Sequence, residues 1–134
     1  NICQIIGGSD FTAVLTEEGE IYTWGRGRAA GREGKTGEIP SKAEIKDEKN
    51  PIIQIAGNFN TLFALTSEGD LWGVGSNNNH VCHNGNAGIW TKIEMPNKAK
   101  INFVATATTH TLAMNETQIF GWCSNNSKMA YVDL

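Results

Sequence analysis

Apolar residues occur along the chain in short runs, and the same pattern of apolar and polar positions recurs about fifty residues later. Residues 5–25 align without gaps on residues 55–75, an offset of 50. In this alignment Leu15 meets Leu65 and Gly25 meets Gly75. A fixed period of about 20 to 50 residues is typical of solenoids and propellers and determines the fold of the whole chain.

A third copy of the pattern follows with small shifts. Its aligned segments are 104–105 on 55–56, 110–114 on 61–65, and 119–125 on 71–77. The offset falls from 49 to 48 because the turn at 115–118 is one residue shorter than the turn at 66–70. Turns tolerate such a deletion, so three copies are expected.

Each copy predicts a β-hairpin. The β-prone runs 61–66 and 70–74 are separated by a Ser-Glu-Gly unit whose glycine can adopt positive φ. We therefore predict hairpin turns at 18–20 and 67–70, with Gly19 and Gly69 at positive φ.

Further strands complete each repeat. One strand precedes the hairpin and ends at Gly57, and short fourth strands are expected around 43–45 and 91–95. No segment carries an apolar stripe at helical spacing over three turns, so a helical repeat is disfavoured. The pattern predicts an all-β fold of about four short strands per repeat.

Composition supports one turn-rich domain. The 134 residues are 40% hydrophobic and include 15 glycines but only 3 prolines. A net charge of −3 makes nucleic acid an unlikely partner, because such binding needs a broad positive field. No apolar run approaches the roughly 20 residues that span a bilayer, and no signal peptide is recognised. Three cysteines without CxxC spacing favour the reducing cytoplasm or nucleus.

The repeat resembles that of the RCC1 (regulator of chromosome condensation) family. The resemblance rests on residues 66–77, TSEGDLWGVGSN, preceded by IAG at 55–57, and on the matching segments 15–25 and 110–114. The family's histidine is kept as His110 but replaced by Phe11 and Thr61. The residues expected to have structural roles in the repeat are Gly19, Trp24, Gly25, Gly69, Trp72, Gly75, His110 and Trp122.

The resemblance implies about three four-stranded antiparallel blades of a β-propeller that normally has seven. The repeat units would span approximately residues 1–50, 51–99 and 100–134. So few blades leave open faces and strand edges, which need a cover. The chain is therefore expected to be part of a longer propeller or to dock on partner chains. Trp24 and Trp122 share a register position and are expected to be buried between blades.

Candidate contact residues lie in two loops. Arg26, Arg28 and Arg32 form the only basic concentration, and arginine forks suit phosphate or acidic protein surfaces. The segment lacks the context of a nucleotide-binding loop. Trp90 opens a short strand after a loop and is predicted to be an apolar anchor for a partner, because interfaces favour Trp and Arg.

No metal, cofactor or catalytic site is expected. The cluster His80, Cys82 and His83 lacks a fourth ligand for a closed zinc site, and no nucleophile with a base and an orienting group is legible. We therefore predict a protein that is not an enzyme.

Two functions remain open. The first is a non-enzymatic protein-interaction module or scaffold within a larger propeller or assembly. The second, implied by the founding member of the family, is a guanine-nucleotide exchange factor for a Ran-like small GTPase. A kelch-type adaptor has a repeat of the same length, but kelch repeats carry a regular double glycine. Here Gly7-Gly8 of the first copy aligns with Gly57-Asn58 of the second, so the double glycine does not recur. One fold hosts all these roles, so the fold alone does not choose.

Overall fold

Three four-stranded antiparallel sheets make up the described part of the chain. The computed structural model describes residues 1–26, 37–75, 88–123 and 126–134. The strand orders in the three sheets are β1-β2-β3-β4, β5-β6-β7-β8 and β12-β11-β10-β9, so each sheet is built from four successive strands. We call these sheets blades 1, 2 and 3. The all-β blade architecture predicted from the sequence is confirmed.

The strands are short and are joined by tight turns. Blade 1 consists of β1 (Ile2–Gly7), β2 (Phe11–Thr16), β3 (Ile21–Gly25) and β4 (Gly37–Ala43). Blade 2 consists of β5 (Ile52–Gly57), β6 (Thr61–Thr66), β7 (Leu71–Gly75) and β8 (Thr91–Lys92). Blade 3 consists of β9 (Phe103–Thr106), β10 (His110–Met114), β11 (Gln118–Cys123) and β12 (Asn126–Asp133). A single 3-10 turn, Pro96–Lys98, lies between blades 2 and 3.

Strand pairing follows the register of the sequence repeat. The first and second strands of the blades pair at equivalent residues, namely Ile5 with Val14, Ile55 with Ala64, and Val104 with Ala113. Across the hairpins the equivalent pairs are Leu15 with Ile21, Leu65 with Leu71, and Met114 with Ile119. The last pair is one residue closer in sequence, as the shortened turn requires.

The hairpin turns of blades 1 and 2 depend on glycine. Gly19 has φ 84° and Gly69 has φ 85°, as predicted. Blade 3 makes its shorter turn differently, because the Asn115 side-chain oxygen accepts hydrogen bonds from the backbone N–H groups of Thr117 and Gln118 at 3.0 and 2.9 Å. An asparagine side chain thus replaces the glycine conformation in the third copy.

Replacing Gly69 with alanine is expected to lower the free energy of unfolding by about 2 kcal/mol. The residue is in the left-handed region, and an added Cβ would lie 2.9 Å from Cβ of Lys100 in the connection to blade 3. Gly7→Ala is the matched control, because a Cβ there meets nothing within 4 Å. Urea denaturation would measure both variants. Equal losses would contradict a conformational requirement at Gly69.

The fourth strands differ from their predicted positions. β4 ends at Ala43, where the predicted strand began, and β8 is limited to Thr91–Lys92. A fourth strand pairs on one side only, and its residues are largely exposed. Its sequence therefore carries little of the alternation that locates a half-buried strand.

Two apolar cores lie between successive blades. One combines Phe11, Ala13 and Leu15 of blade 1 with Ile55 and Ala64 of blade 2. The other joins blade 2 to blade 3 through Phe63, Leu65, Val104, Ala113 and Trp122.

Strand β6 contributes to both cores. Leu62 and Ala64 pack in the core shared with blade 1, and Phe63 and Leu65 pack in the core shared with blade 3. All six residues of β6 are consequently buried.

The described part of the chain contains no helix with the length and apolar character of a membrane span.

Candidate interaction surfaces

A glutamine on the first strand of a blade bridges to the first strand of the next blade. Nε2 of Gln4 donates to the carbonyl oxygen of Ile55 at 2.6 Å, and Oε1 of Gln4 accepts from the N–H of Ile55 at 2.9 Å. Gln54 makes the same pair of contacts with Val104, at 2.6 and 3.0 Å. We call each such pair of hydrogen bonds a glutamine bridge.

The glutamine bridge satisfies backbone groups that the sheet leaves open. The N–H and C=O of Ile55 point to the edge of β5, where no strand of its own blade can pair with them. Buried backbone groups of this kind need a partner, because leaving them unpaired costs free energy. The bridge therefore joins neighbouring blades at the strand edge as well as through their apolar faces.

Blade 3 lacks the glutamine. Phe103 occupies the equivalent position, 49 residues after Gln54, and 49% of its surface is exposed. Sequence reasoning missed the bridge because the repeat alignment began at Ile5, one residue after Gln4. The signal was available as a glutamine repeated at positions 4 and 54.

One face of blade 1 exposes an isoleucine. We define the leading face as the side chains of Ile5, Val14, Tyr22 and Trp24, which share one side of the sheet. Val14 is 6% exposed and Tyr22 and Trp24 are half-buried, so Ile5 is the exposed member. Ile5 is 68% exposed, whereas its equivalents in blades 2 and 3, Ile55 and Val104, are 0% and 1% exposed. The difference arises because those equivalents pack against the preceding blade.

The open leading face explains why one tryptophan prediction is wrong. Trp122 is buried and packs edge-on against Phe63, with ring centroids 5.9 Å apart. Trp24, at the same repeat position, is only half-buried. Burial at this position is provided by the preceding blade, and none of the described residues forms such a blade next to Trp24.

Blade 3 presents the opposite kind of open face. We define the trailing face as Leu112 and Met114, which are 51% and 37% exposed. Their equivalents in blade 2, Phe63 and Leu65, are fully buried against blade 3. The three blades thus form a stack whose two ends expose apolar surface.

Trp90 is not an exposed anchor, which corrects the sequence prediction. The side chain is 8% exposed and belongs to the core between blades 1 and 2. Its position after a loop suggested exposure, but a large ring near the edge of a blade gains more by filling the inter-blade core. Trp72 is half-buried, and its indole N–H donates to Oε2 of Glu48 at 2.9 Å.

The predicted arginine loop is described only at its start. Arg26 is exposed, and its backbone N–H donates to the carbonyl oxygen of Asp10 at 2.6 Å. Arg28 and Arg32 lie outside the described residues. The contact with Asp10 places Arg26 at the end of the blades where the turns between first and second strands lie.

That end of the blades carries a shallow concave surface. It is lined by Gly7, Gly8, Gly57, Asn58, Phe59 and residues 106–108. Phe59 is 56% exposed there, while its carbonyl oxygen accepts hydrogen bonds from Ser9 of blade 1. We call this surface the loop end; Arg26 lies at the same end of the blades, through its backbone hydrogen bond to Asp10.

The remaining repeat residues have structural roles or are solvent-exposed. Gly25 and Gly75 have φ 103° and 156°, and a Cβ at either position would approach backbone atoms of the neighbouring strand. His110 is exposed and lies 2.9 Å from the hydroxyl of Thr109. Cys3 is exposed as a free thiol.

The opposite end of the blades carries repeated ion pairs. Lys42 contacts Glu20 at 2.7 Å, and Lys92 contacts Asp70, fifty residues later, at 3.3 Å. Asp70 forms a second ion pair, in which its Oδ1 lies 2.7 Å from Nζ of Lys100. The hydrogen bond from Lys100 is the main reason that the pKa of Asp70 lies below its usual value; burial acts in the opposite direction and Lys92 adds to the lowering. The same contact raises the pKa of Lys100.

Asp70→Asn is expected to destabilise the protein by about 1 kcal/mol at neutral pH, because both lysines lose their partner. The folded-state pKa of Asp70 is lowered, so its contribution is present above the unfolded pKa and lost as pH falls. The difference in unfolding free energy between wild type and variant should therefore shrink below about pH 4. Thermal unfolding from pH 7 to 3 measures it, with exposed Glu116→Gln as control. A gap that is independent of pH would refute the assignment.

The described residues contain no candidate metal site. No group of three His, Cys, Asp or Glu side chains in residues 1–26, 37–75, 88–123 and 126–134 could hold a metal ion. The segment with His80, Cys82 and His83 lies outside those ranges. The surfaces described above have a concave shape, charged side chains and exposed apolar side chains, which are features of binding surfaces.

Comparison with known proteins identifies the repeat. The profile of the regulator of chromosome condensation (RCC1) repeat matches residues 2–29 and 52–80. These two segments are RCC1 repeats. The chain is 34% identical over 136 residues to the Arabidopsis thaliana RCC1 domain-containing protein RUG3, mitochondrial. The aligned region covers 90% of this chain and 30% of RUG3.

Solved structures share the RCC1 propeller fold. The crystal structure of human WBSCR16 matches with a TM-score of 0.81 and 21% identity, over 92% of this chain and 33% of that one. Prp20p from Saccharomyces cerevisiae matches with a TM-score of 0.76 and 20% identity, over 91% of this chain and 33% of Prp20p. The chain thus spans about a third of the length of these RCC1 relatives.

Proposed function

We propose that this chain is a non-enzymatic RCC1-repeat interaction module that works within a larger propeller or assembly. The observations that support the proposal are the RCC1 repeats and the concave loop end, where Phe59 is 56% exposed.

The loop end is the proposed contact surface for a protein partner. Arg26 and Phe59 are both exposed at this end of the blades, and arginine and aromatic side chains are enriched at interfaces. Arg28 and Arg32 follow Arg26 in the sequence and would add positive charge. An acidic protein surface is the chemistry that this loop suits.

A regulator of a Ran-like small GTPase is the second candidate. Prp20p, which shares the fold, is described as binding Gsp1p, a small GTPase, and histones. The match to Prp20p has 20% identity and covers only a third of Prp20p, so it supports the shared fold. Exchange activity of this chain is a hypothesis that goes beyond the fold.

The compartment is also a proposal. The exposed free thiol of Cys3 suits a reducing environment, which favours the cytoplasm or nucleus predicted from the sequence. The name of RUG3 places that relative in mitochondria, so its likeness favours neither compartment.

A pull-down from cell extract tests the loop contact. Arg26, Arg28 and Arg32 would be changed together to Glu, and we expect recovery of the specific partner to fall at least about tenfold. Lys46, Lys49 and Lys98, which are exposed, would be changed to Glu as a control of equal charge. Equal recovery with both variants would exclude the loop.

An exchange assay separates the two functions. Release of a fluorescent guanine nucleotide from a small GTPase would be followed with and without the chain. We expect no acceleration from an interaction module. Acceleration that the arginine variant abolishes would favour the exchange-factor hypothesis.

A further inference from the structure

The hairpin turn between the second and third strands carries an exposed carboxylate in two of the three blades. The repeat alignment places Ser67 of blade 2 at the position of Glu17 in blade 1 and of Glu116 in blade 3, at offsets of 50 and 49. The N–H groups of Glu17 and Ser67 both donate at 2.9 Å, to the carbonyl oxygens of Asn1 and Pro51. All three side chains are exposed. This position of the turn therefore accommodates an anionic side chain, and blade 2 has a serine there instead.

The hydroxyl of Ser67 is open to solvent. The Ser67 side chain is exposed, and its hydroxyl forms no hydrogen bond with any residue that the structure describes. Thr66 differs, because it is 0% exposed and its Oγ1 accepts from the N–H of Asp70 at 3.0 Å. Ser67 is therefore the hydroxyl of this turn that an enzyme can reach.

Acidic residues follow Ser67 at two positions. Glu68 comes directly after it, and Asp70 comes three residues after it. Glu68 is exposed, whereas Asp70 pairs with the exposed side chains of Lys92 and Lys100. Acid-directed protein kinases select such serines, because basic side chains of the kinase pair with the carboxylates that follow. A kinase reaches Glu68 directly and competes with two exposed lysines for Asp70.

We propose that Ser67 is a phosphorylation site for an acid-directed protein kinase. In the reaction Oγ of Ser67 bonds to the γ-phosphorus of ATP, its proton passes to a carboxylate base of the kinase, and ADP leaves. Phosphoserine carries a charge of about −2 at neutral pH. The charge lies at the end of the blades opposite to the loop end, so this modification goes beyond the interaction function proposed above and is independent of it.

The test is incubation of the folded chain with casein kinase II and ATP, followed by mass spectrometry of the intact chain and its peptides. We expect phosphate on Ser67 and incorporation at least about tenfold slower into the Ser67→Ala variant. Because glutamate occupies this turn position in the other blades, the phosphorylated chain should unfold within about 3 °C of the unmodified chain. Circular dichroism would measure unfolding and confirm that each variant is folded.

The repeat supplies two matched controls, both made in the Ser67→Ala background. Glu17→Ser places a serine before two glutamates at the same spacing, and should restore incorporation to within about threefold of the wild-type rate. Glu116→Ser places a serine on an equally exposed turn with no carboxylate in the next three residues. Incorporation into that variant should stay at least about tenfold below wild type.

Three outcomes would overturn the proposal. The first is an absence of phosphate on Ser67 in the folded wild-type chain. The second is equal incorporation into the Glu17→Ser and Glu116→Ser variants, which would mean that the acidic residues do not select the site. The third is a fall of more than about 3 °C in the unfolding midpoint on phosphorylation, which would mean that the turn does not accommodate the phosphate.

Discussion

Phe63→Ala is expected to lower the free energy of unfolding by about 3–5 kcal/mol. Phe63 is fully buried between blades 2 and 3 and contacts Trp122 edge-on. Truncation removes the buried ring and leaves a cavity that the two rigid sheets cannot close. Urea denaturation followed by tryptophan fluorescence and circular dichroism would measure the loss.

Leu112→Ala is the matched control for Phe63→Ala. Leu112 occupies the same repeat position in blade 3 but is 51% exposed on the trailing face. We expect a change within about 0.5 kcal/mol, as for surface substitutions generally. A loss at Leu112 as large as that at Phe63 would mean that the trailing face is covered in solution.

Gln54→Leu is expected to cost about 3 kcal/mol, the second largest effect. Leucine keeps much of the volume of the side chain, but it leaves the N–H and C=O of Val104 without partners in a region where Val104 is 1% exposed. Each unsatisfied buried group costs about 1–3 kcal/mol. The same denaturation experiment would measure the loss.

The repeat supplies two comparisons for Gln54→Leu. Gln4→Leu should cause a similar loss through Ile55, because its hydrogen bonds are equivalent. Phe103→Leu, at the same position in blade 3, should change stability by less than about 1 kcal/mol because the residue is half-exposed. A small effect of Gln54→Leu would show that water replaces the bridge.

The sequence predicted the hairpins and their register well, for a physical reason. Leu15, Leu65 and Met114 lie at the ends of second strands, directly before tight turns, so the turn length sets the register of each hairpin. Gly19 and Gly69 were recognisable because positive φ is costly for other residues. The fourth strands are largely exposed and gave weaker signals: β4 ends where the predicted strand began, and β8 is shorter than the predicted range 91–95.

Residues whose environment depends on the neighbouring blade were harder to predict. Trp24 and Trp122 have identical repeat positions, yet among the described residues a preceding blade packs against Trp122 and not against Trp24. Trp90 follows a loop in sequence but enters the core between blades 1 and 2. The glutamine bridge joins side chain to backbone over about fifty residues, and no local pattern encodes such a contact.

Amide hydrogen exchange at three equivalent residues tests the stacked-blade account most directly. In the native chain, followed by NMR, we expect the N–H groups of Ile55 and Val104 to be protected by the glutamine bridges. The N–H of Ile5 has the same register position on the open edge and should exchange many times faster. Similar protection at all three residues would contradict the account.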